Sequence, residues 1–189
     1  MPVPGGFVPP PYPHDRLATL SARAAAVPGG IVDASVGQPV DPMPEVAVRA
    51  LVDAIAGATG YPPTIGSAPY RAAAAAWVER RFGCSVTAEE VVACVGTKEL
   101  VASLPRALSL RDPSRDVVLY PAASYPTYEM GATLAGLRAV PVPVDDDWHV
   151  DLARVADADA DRALLLWLND PSNPTGTSST PTGMVEAVT

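Results

Sequence analysis

The sequence predicts an α/β fold: a mostly parallel sheet with helices on both faces. Three observations carry that expectation. From about residue 88 onward, short apolar runs alternate with stretches whose apolar residues recur at helical spacing. The intervals between the runs hold a helical crossover rather than a hairpin turn, so neighbouring strands run parallel. The runs are continuously apolar instead of alternating, as befits strands covered on both sides.

The elements follow in order. Residues 1–14, MPVPGGFVPPPYPH, carry too many prolines for a helix or a central strand and read as an extended arm. DRLATLSARAAAV reads as a short helix capped by Asp15 and ended by Pro28, Gly29 and Gly30. IVDASVGQP reads as a brief strand running into a Gly-x-Pro turn. MPEVAVRALVDAIAG has Pro44 at a helix start and Gly57 at its end. GYPPTIGSAP is a loop, and YRAAAAAWVERRFG an alanine-rich helix closed by Gly83. The alternation then begins. A strand is predicted at 90–95, then the helix KELVASLPRALSL with a kink at Pro105. A strand at 116–120 and the helix TYEMGATLAG, ended by Gly136, come next. LRAVPVPV is a strand whose prolines assign it to an edge. VDLARVAD is a short helix, and a strand follows at 163–168.

Composition narrows the function classes. The chain has 189 residues, 48% of them apolar, and a formal charge of −8. That charge argues against general nucleic-acid affinity. The apolar stretches are too short or too interrupted for a membrane span, and no basic, then apolar leader opens the chain. Cys84 and Cys94 have no metal-ligand spacing and read as two buried thiols of a cytoplasmic protein. Lys98 is the single lysine.

In open α/β sheets, ligands sit beyond the carboxyl ends of the strands. Three such ends carry chemistry here. Gly96-Thr97-Lys98 opens a helix, so backbone N–H groups, the helix dipole, a hydroxyl and an ammonium converge in what suits a phosphate. Taken alone, the same residues make an ordinary turn capped by Thr97, and no Walker loop is present. Tyr125 and Tyr128 follow a strand, where a ring can stack on a planar ligand or simply close the core. NDPSNPTG presents Asn169 and Asn173 in a proline-fixed turn, with amides suited to a phenolate-like oxygen and a carboxylate. Gly37 in VGQP leaves backbone bare for a carboxylate, or is a plain turn. DDDWHV reads as a solvated turn, not a metal cluster, and neither His14 nor His149 has a triad partner.

In combination the pieces resemble one family. Gly-x-Pro, then Tyr61 with Gly66 and Arg71, then Gly96-Thr97-Lys98, then SYPTY, then NPTG is similar to the class I/II aminotransferases, the fold type I enzymes that use pyridoxal 5′-phosphate. The resemblance runs from about residue 30 to the end. Its finer likeness is to the actinobacterial N-succinyldiaminopimelate aminotransferases, on the proline-rich arm, the NDPSNPTG wording and the arginine-rich, lysine-poor composition.

The resemblance implies roles. Gly96, Thr97 and Lys98 would hold the cofactor phosphate through their amides, and Tyr125 would stack on the pyridine ring. Asn173 would bond the 3′ oxygen and help fix the substrate carboxylate, beside which Gly37 would sit. Tyr61 would reach the phosphate of a neighbouring subunit's cofactor, which implies a homodimer. Gly96–Lys98, Tyr125 and Asn173 are expected to line one cleft, with Gly37 at its rim. Lys98 departs from the neutral residue of many relatives; it either adds charge there or points outward.

In the family, the lysine that forms the Schiff base, the aspartate on the pyridinium nitrogen and the arginine on the α-carboxylate lie downstream of NPTG, beyond Thr189. No catalytic residue is therefore assigned, and the chain resembles an N-terminal portion. Residues 1–30 would be the arm and first helix, 31–60 part of a small domain or linker, and 61–189 the first part of the cofactor-binding large domain. Such a portion should expose apolar surface along its last helix and sheet edge. The implied function is amino-group transfer between an amino acid and a 2-oxo acid, N-succinyldiaminopimelate and 2-oxoglutarate in lysine biosynthesis among them. The alternatives are a related fold type I lyase or synthase, a truncated non-catalytic fragment that binds cofactor or dimerises, and an unrelated α/β nucleotide-binding protein.

Overall fold

The computed structural model describes residues 6, 8, 13–37, 39–57 and 59–180. Most of the proline-rich arm and Gln38 of the Gly-x-Pro turn lie outside them. The chain divides into two compact units, one of them His14–Cys94 and the other running from Val95.

The His14–Cys94 unit is helical. A 3-10 turn at Pro13–Leu17 leads into α1, Ala18–Ala25. Asp15 lies inside that turn and is not the cap of α1, whose N-cap is Leu17, with no side-chain cap bond. The chain leaves α1 through Gly29 and Gly30, both at positive φ. The strand expected in IVDASVGQP is absent among the described residues. Asp33 instead accepts hydrogen bonds from the Ser35 N–H and hydroxyl, a local turn that competes with ladder formation.

Helix α2, Glu45–Ile55, begins after Pro44, and Gly57 donates back to Ala54 just past its end. Helix α3, Ala68–Phe82, begins two residues earlier than its sequence pattern. The Ser67 hydroxyl accepts from the Tyr70 N–H, Pro69 sits in the first turn, and Gly83 closes the helix at φ 68°. Gly66 (φ +91°) admits close packing: a Cβ there would stand 2.8 Å from Ala93 Cβ. The predicted strand at 90–95 is not a strand. Residues 88–90 form a 3-10 turn closed by a Thr87–Glu90 capping box, and the extended backbone after it makes a hydrogen bond from Ala93 N–H to Ile65 O instead of a ladder. The cysteines are corrected as well: Cys84 and Cys94 are exposed, one after Gly83 and the other on this unpaired segment.

The second unit is the α/β one. Helix α4, Thr97–Arg111, precedes β1, Val117–Pro121. Helix α5, Thr127–Leu134, crosses over to β2, Arg138–Val142. A 3-10 turn at Leu152–Arg154 and the one-turn α6, Asp157–Ala160, lead to β3, Ala163–Leu166. The described sheet has three strands in the order β2-β1-β3, both pairings parallel. Pro141 is accommodated because β2 is an edge, as its prolines implied.

Every residue of β1 is buried. Val117 and Leu119 join Val142 in the core on one face, where Val150, Leu152, Val155 and Leu166 pack against them. Alternation turns Val118 and Tyr120 to the other face, and α5 packs on β1 and β2. The expected apolar exposure is therefore misplaced. Leu152 and Val155 close the core, and β3 is half-buried, whereas Val46, Leu51, Val52 and Ile55 of α2 are exposed.

Two devices hold α5. Its end is a Schellman turn, with Leu137 N–H donating to Ala132 O and Gly136 N–H to Thr133 O, Gly136 at φ +74°. Its middle meets α4 closely. Helix α4 continues through the buried Pro105. Pro105 has no N–H to offer the Val101 carbonyl four residues back. That carbonyl faces Gly131 of α5, where a Cβ would stand 2.8 Å from Val101 O and 3.2 Å from Ala102 Cα. Gly131→Ala is expected to destabilise the protein by about 1–3 kcal/mol through overpacking. Urea unfolding measures it, and an unchanged midpoint would contradict the close contact.

Candidate functional site

Parallel pairing of β1 with β2 and β3 brings the loops that leave their carboxyl ends to one side of the sheet. The loop after β1 carries Tyr125, and the loop after β3 carries Asn169 to Gly176.

Tyr125 is half-buried and meets the buried Tyr128 edge to face, with centroids 6.2 Å apart. Tyr128 in turn stacks on Trp167, just past β3, at 5.3 Å and 21°. The aromatic chain therefore ties the β1 loop to the β3 exit. Burial pushes the Tyr128 phenol above the ordinary tyrosine range, and Tyr125 adds to the shift. Burial does the same at Tyr120, with the Glu129 charge adding to it.

The NDPSNPTG turn is held by side chains bonding to backbone. Asn169 Oδ1 accepts from Asn173 N–H at 2.9 Å, and Asp170 Oδ2 accepts from Ser179 N–H at 2.6 Å. Ser172 N–H donates to Thr177 O and Gly176 N–H to Ser172 O. The Thr177 hydroxyl donates to Asp147 O, which fastens the turn to the hairpin bridged at Val144 and Val150. The Asp170–Pro171 and Asn173–Pro174 peptides are cis. Asn173 itself is exposed, and among the described residues its carboxamide has no hydrogen-bond partner. Asn169 and Asp170 are thus the residues that build the turn. Their signal in the sequence was an Asx pair at a strand exit, a pattern that bonds to backbone a few residues on.

Helix α4 opens at Gly96, with φ 168° and ψ 166°, extended, and no side chain caps it. Nothing stands within 4 Å of where a Gly96 Cβ would be. The first-turn N–H groups have no acceptor within a helix, and the helix dipole adds positive potential there. This donor set and open space fit a phosphate. Gly37 and Tyr61 belong to the His14–Cys94 unit, and both are exposed. Within the α/β unit a small cleft opens between the NDPSNPTG turn and the hairpin bridged at Val144 and Val150, lined by Pro121, Trp148, His149, Asn169, Asp170 and Ser172 among others. Its lining includes none of Gly96–Lys98, Tyr125 or Asn173, which stand outside it. Asp145 is committed to its own hairpin, accepting from the N–H groups of Asp147 and His149, as a turn residue does.

The family model described as aminotransferase class I and II matches residues 30–188. The chain belongs to the class I and II aminotransferases. These are pyridoxal 5′-phosphate enzymes, and an unrelated nucleotide-binding fold is thereby set aside. The chain is 43% identical, over 88% of its length and 43% of the relative's, to the 4-dedimethylamino-4-oxo-anhydrotetracycline transaminase OxyQ of Streptomyces rimosus. It is 36% identical to the LL-diaminopimelate aminotransferase of Gloeobacter violaceus, over 88% of this chain and 43% of that one. Among solved structures it is similar to a probable N-succinyldiaminopimelate aminotransferase of Thermus thermophilus, at 31% identity and a TM-score of 0.78, covering 92% of this chain and 48% of the other. The chain thus spans under half the length of these aminotransferases. No helix among the described residues is long and apolar enough to cross a membrane.

The phenol shifts have a stability consequence. Because the folded state keeps Tyr120 and Tyr128 protonated to higher pH than the unfolded chain does, their contribution is present below about pH 10 and is lost as pH rises beyond it. Tyr128→Phe should flatten the fall in urea midpoint between pH 9 and pH 11, values chosen to bracket the ordinary tyrosine pKa of about 10. An equally steep fall in the variant would contradict the assignment.

Proposed function

We propose that the chain is the N-terminal portion of a homodimeric, cytoplasmic pyridoxal-phosphate aminotransferase and carries most of the groups that hold the cofactor. The observation that carries this reading is the state of Asn173: backbone tied by Asn169, carboxamide unspent. A side chain held in that way is aimed before its ligand arrives, which is how a binding group acts without reorganising. In this reading the amides of Gly96, Thr97 and Lys98 bind the cofactor phosphate, and Tyr125 covers the pyridine ring. Asn173 donates to the ring's 3′ oxygen and orients the substrate carboxylate, which Gly37 N–H also approaches. Tyr61 reaches the phosphate of the neighbouring subunit. When bound, the cofactor supplies an electron-withdrawing ring that stabilises negative charge beside the amino carbon. Residues 31–60 belong to the small domain or linker and 61–189 to the cofactor domain, after an arm and first helix at 1–30.

For the substrate we propose an amino acid and a 2-oxo acid, with N-succinyldiaminopimelate and 2-oxoglutarate first among them. The similarity to diaminopimelate-type enzymes supports that pair. A second reading, a cyclic ketone acceptor, is supported by the 43% identity to the tetracycline-pathway transaminase. Assaying the whole enzyme with each acceptor separates the two: a preference of kcat/KM for the 2-oxo acid supports the first, and a preference for the tetracyclic ketone overturns it.

The 189-residue chain alone is expected to bind pyridoxal phosphate without transferring amino groups, since its one lysine, Lys98, stands in the phosphate turn. A covalent amine must be held at the aldehyde carbon and its pKa lowered, and Lys98 would have to leave the phosphate end to meet that need. The check is borohydride reduction with peptide mapping, alongside an assay with 2-oxoglutarate. Stoichiometric pyridoxyl on Lys98, with transfer abolished by Lys98→Ala, would overturn this expectation.

A further inference from the structure

We infer that Asn169 is a positioning residue for Asn173, and that the cofactor's grip on the NPTG turn is set from one strand exit by this side chain. The inference rests on the cofactor reading above. Asn169 is the third residue past β3, where the chain has just left the sheet: Trp167 N–H still donates to Leu119 O, and the turn begins directly after. Its Oδ1 accepts the Asn173 N–H at 2.9 Å. That bond fixes the peptide immediately before the Asn173 Cα, and the ring of Pro174 restricts the backbone on the other side. The orientation of one exposed carboxamide is therefore bounded by two local constraints, one of which is a single removable hydrogen bond.

The rest of the turn is anchored independently. Asp170 takes Ser179 N–H, and Thr177 reaches Asp147 O, and neither bond involves an NPTG residue. Loss of the Asn169 carboxamide should leave the turn in place and free residue 173 within it. An aspartate at 169 keeps an oxygen acceptor of the same reach and should restore the bond.

The test uses the 189-residue chain, titrated with pyridoxal phosphate by fluorescence quenching, together with amide hydrogen exchange at residue 173. Asn169→Ala should weaken binding about fivefold, the scale of one hydrogen bond, and speed exchange at 173. Asn169→Asp should restore slow exchange at 173, while its added carboxylate charge works against an anionic ligand, and Asn173→Ala should weaken binding at least as much as Asn169→Ala. If Asn173→Ala weakens binding while Asn169→Ala does not, or if exchange at 173 in Asn169→Asp stays as fast as in Asn169→Ala, the positioning role is wrong and the cofactor reading stands. If Asn173→Ala binds as the unaltered chain does, the cofactor reading fails and the positioning role falls with it.

Discussion

Everything in the α/β unit depends on the complete burial of β1. A parallel strand whose side chains are covered on both faces needs partners on both edges, since each unmet backbone group in an apolar setting costs about 1–3 kcal/mol. The chain meets that need with β2 on one side and β3 on the other. Because both pairings are parallel, the loops that follow β1 and β3 emerge side by side. The juxtaposition of SYPTY and NDPSNPTG is therefore a consequence of burying five residues, Val117 to Pro121.

The two ends of this sheet differ in chemistry. Around the amino ends stand charged pairs built on arginine. Arg162 makes a two-point contact with Asp116, Arg138 pairs with Asp159, and Arg115 donates to Ala163 O. Asp159 and Asp116 raise the affinity of the Arg138 guanidinium for its proton, the hydrogen bond that Arg138 donates to Asp159 first. These groups are largely exposed, so solvent screening leaves each pair little weight in stability. Their value is in fixing strand register where the loops are tight. At the carboxyl ends, the loops after β1 and β3 present Tyr125, Asn169 and Asn173; of the carboxylates there, Asp170 accepts from Ser179 N–H and Asp145 from the N–H groups of Asp147 and His149.

What the sequence revealed tracks how local each feature is. β1 and α5 were readable because their apolar runs and bounding glycine, Gly136, are continuous in the chain. The edge position of β2 was readable from Pro141. The segments at 31–36 and 90–95 have strand-like composition but no ladder among the described residues, and Asp33 and the Thr87–Glu90 box direct them into turns. Whether an apolar run pairs depends on a partner elsewhere, which composition does not encode. At the site, Tyr125 and Asn173 were evident as residue types after strands, and Gly96 as the residue that opens a helix. Asn169 was evident as a second amide of that turn, but its bond to backbone four residues on was not. Pro105 read as a kink in a helix, and the fit of Gly131 against Val101 and Ala102 needs the packing of α4 on α5.

The central claim is that a phosphorylated ring is held between the start of α4, Tyr125 and Asn173. The most direct measurement is an amide-resolved NMR titration of the 189-residue chain with pyridoxal phosphate, with inorganic phosphate as the parallel ligand. The account predicts that both ligands shift the amides of Gly96, Thr97 and Lys98, and that only pyridoxal phosphate also shifts the Asn173 side-chain amide and the signals of Tyr125. Shifts confined to the cleft around Trp148 and His149, with Gly96 to Lys98 unmoved, would contradict it.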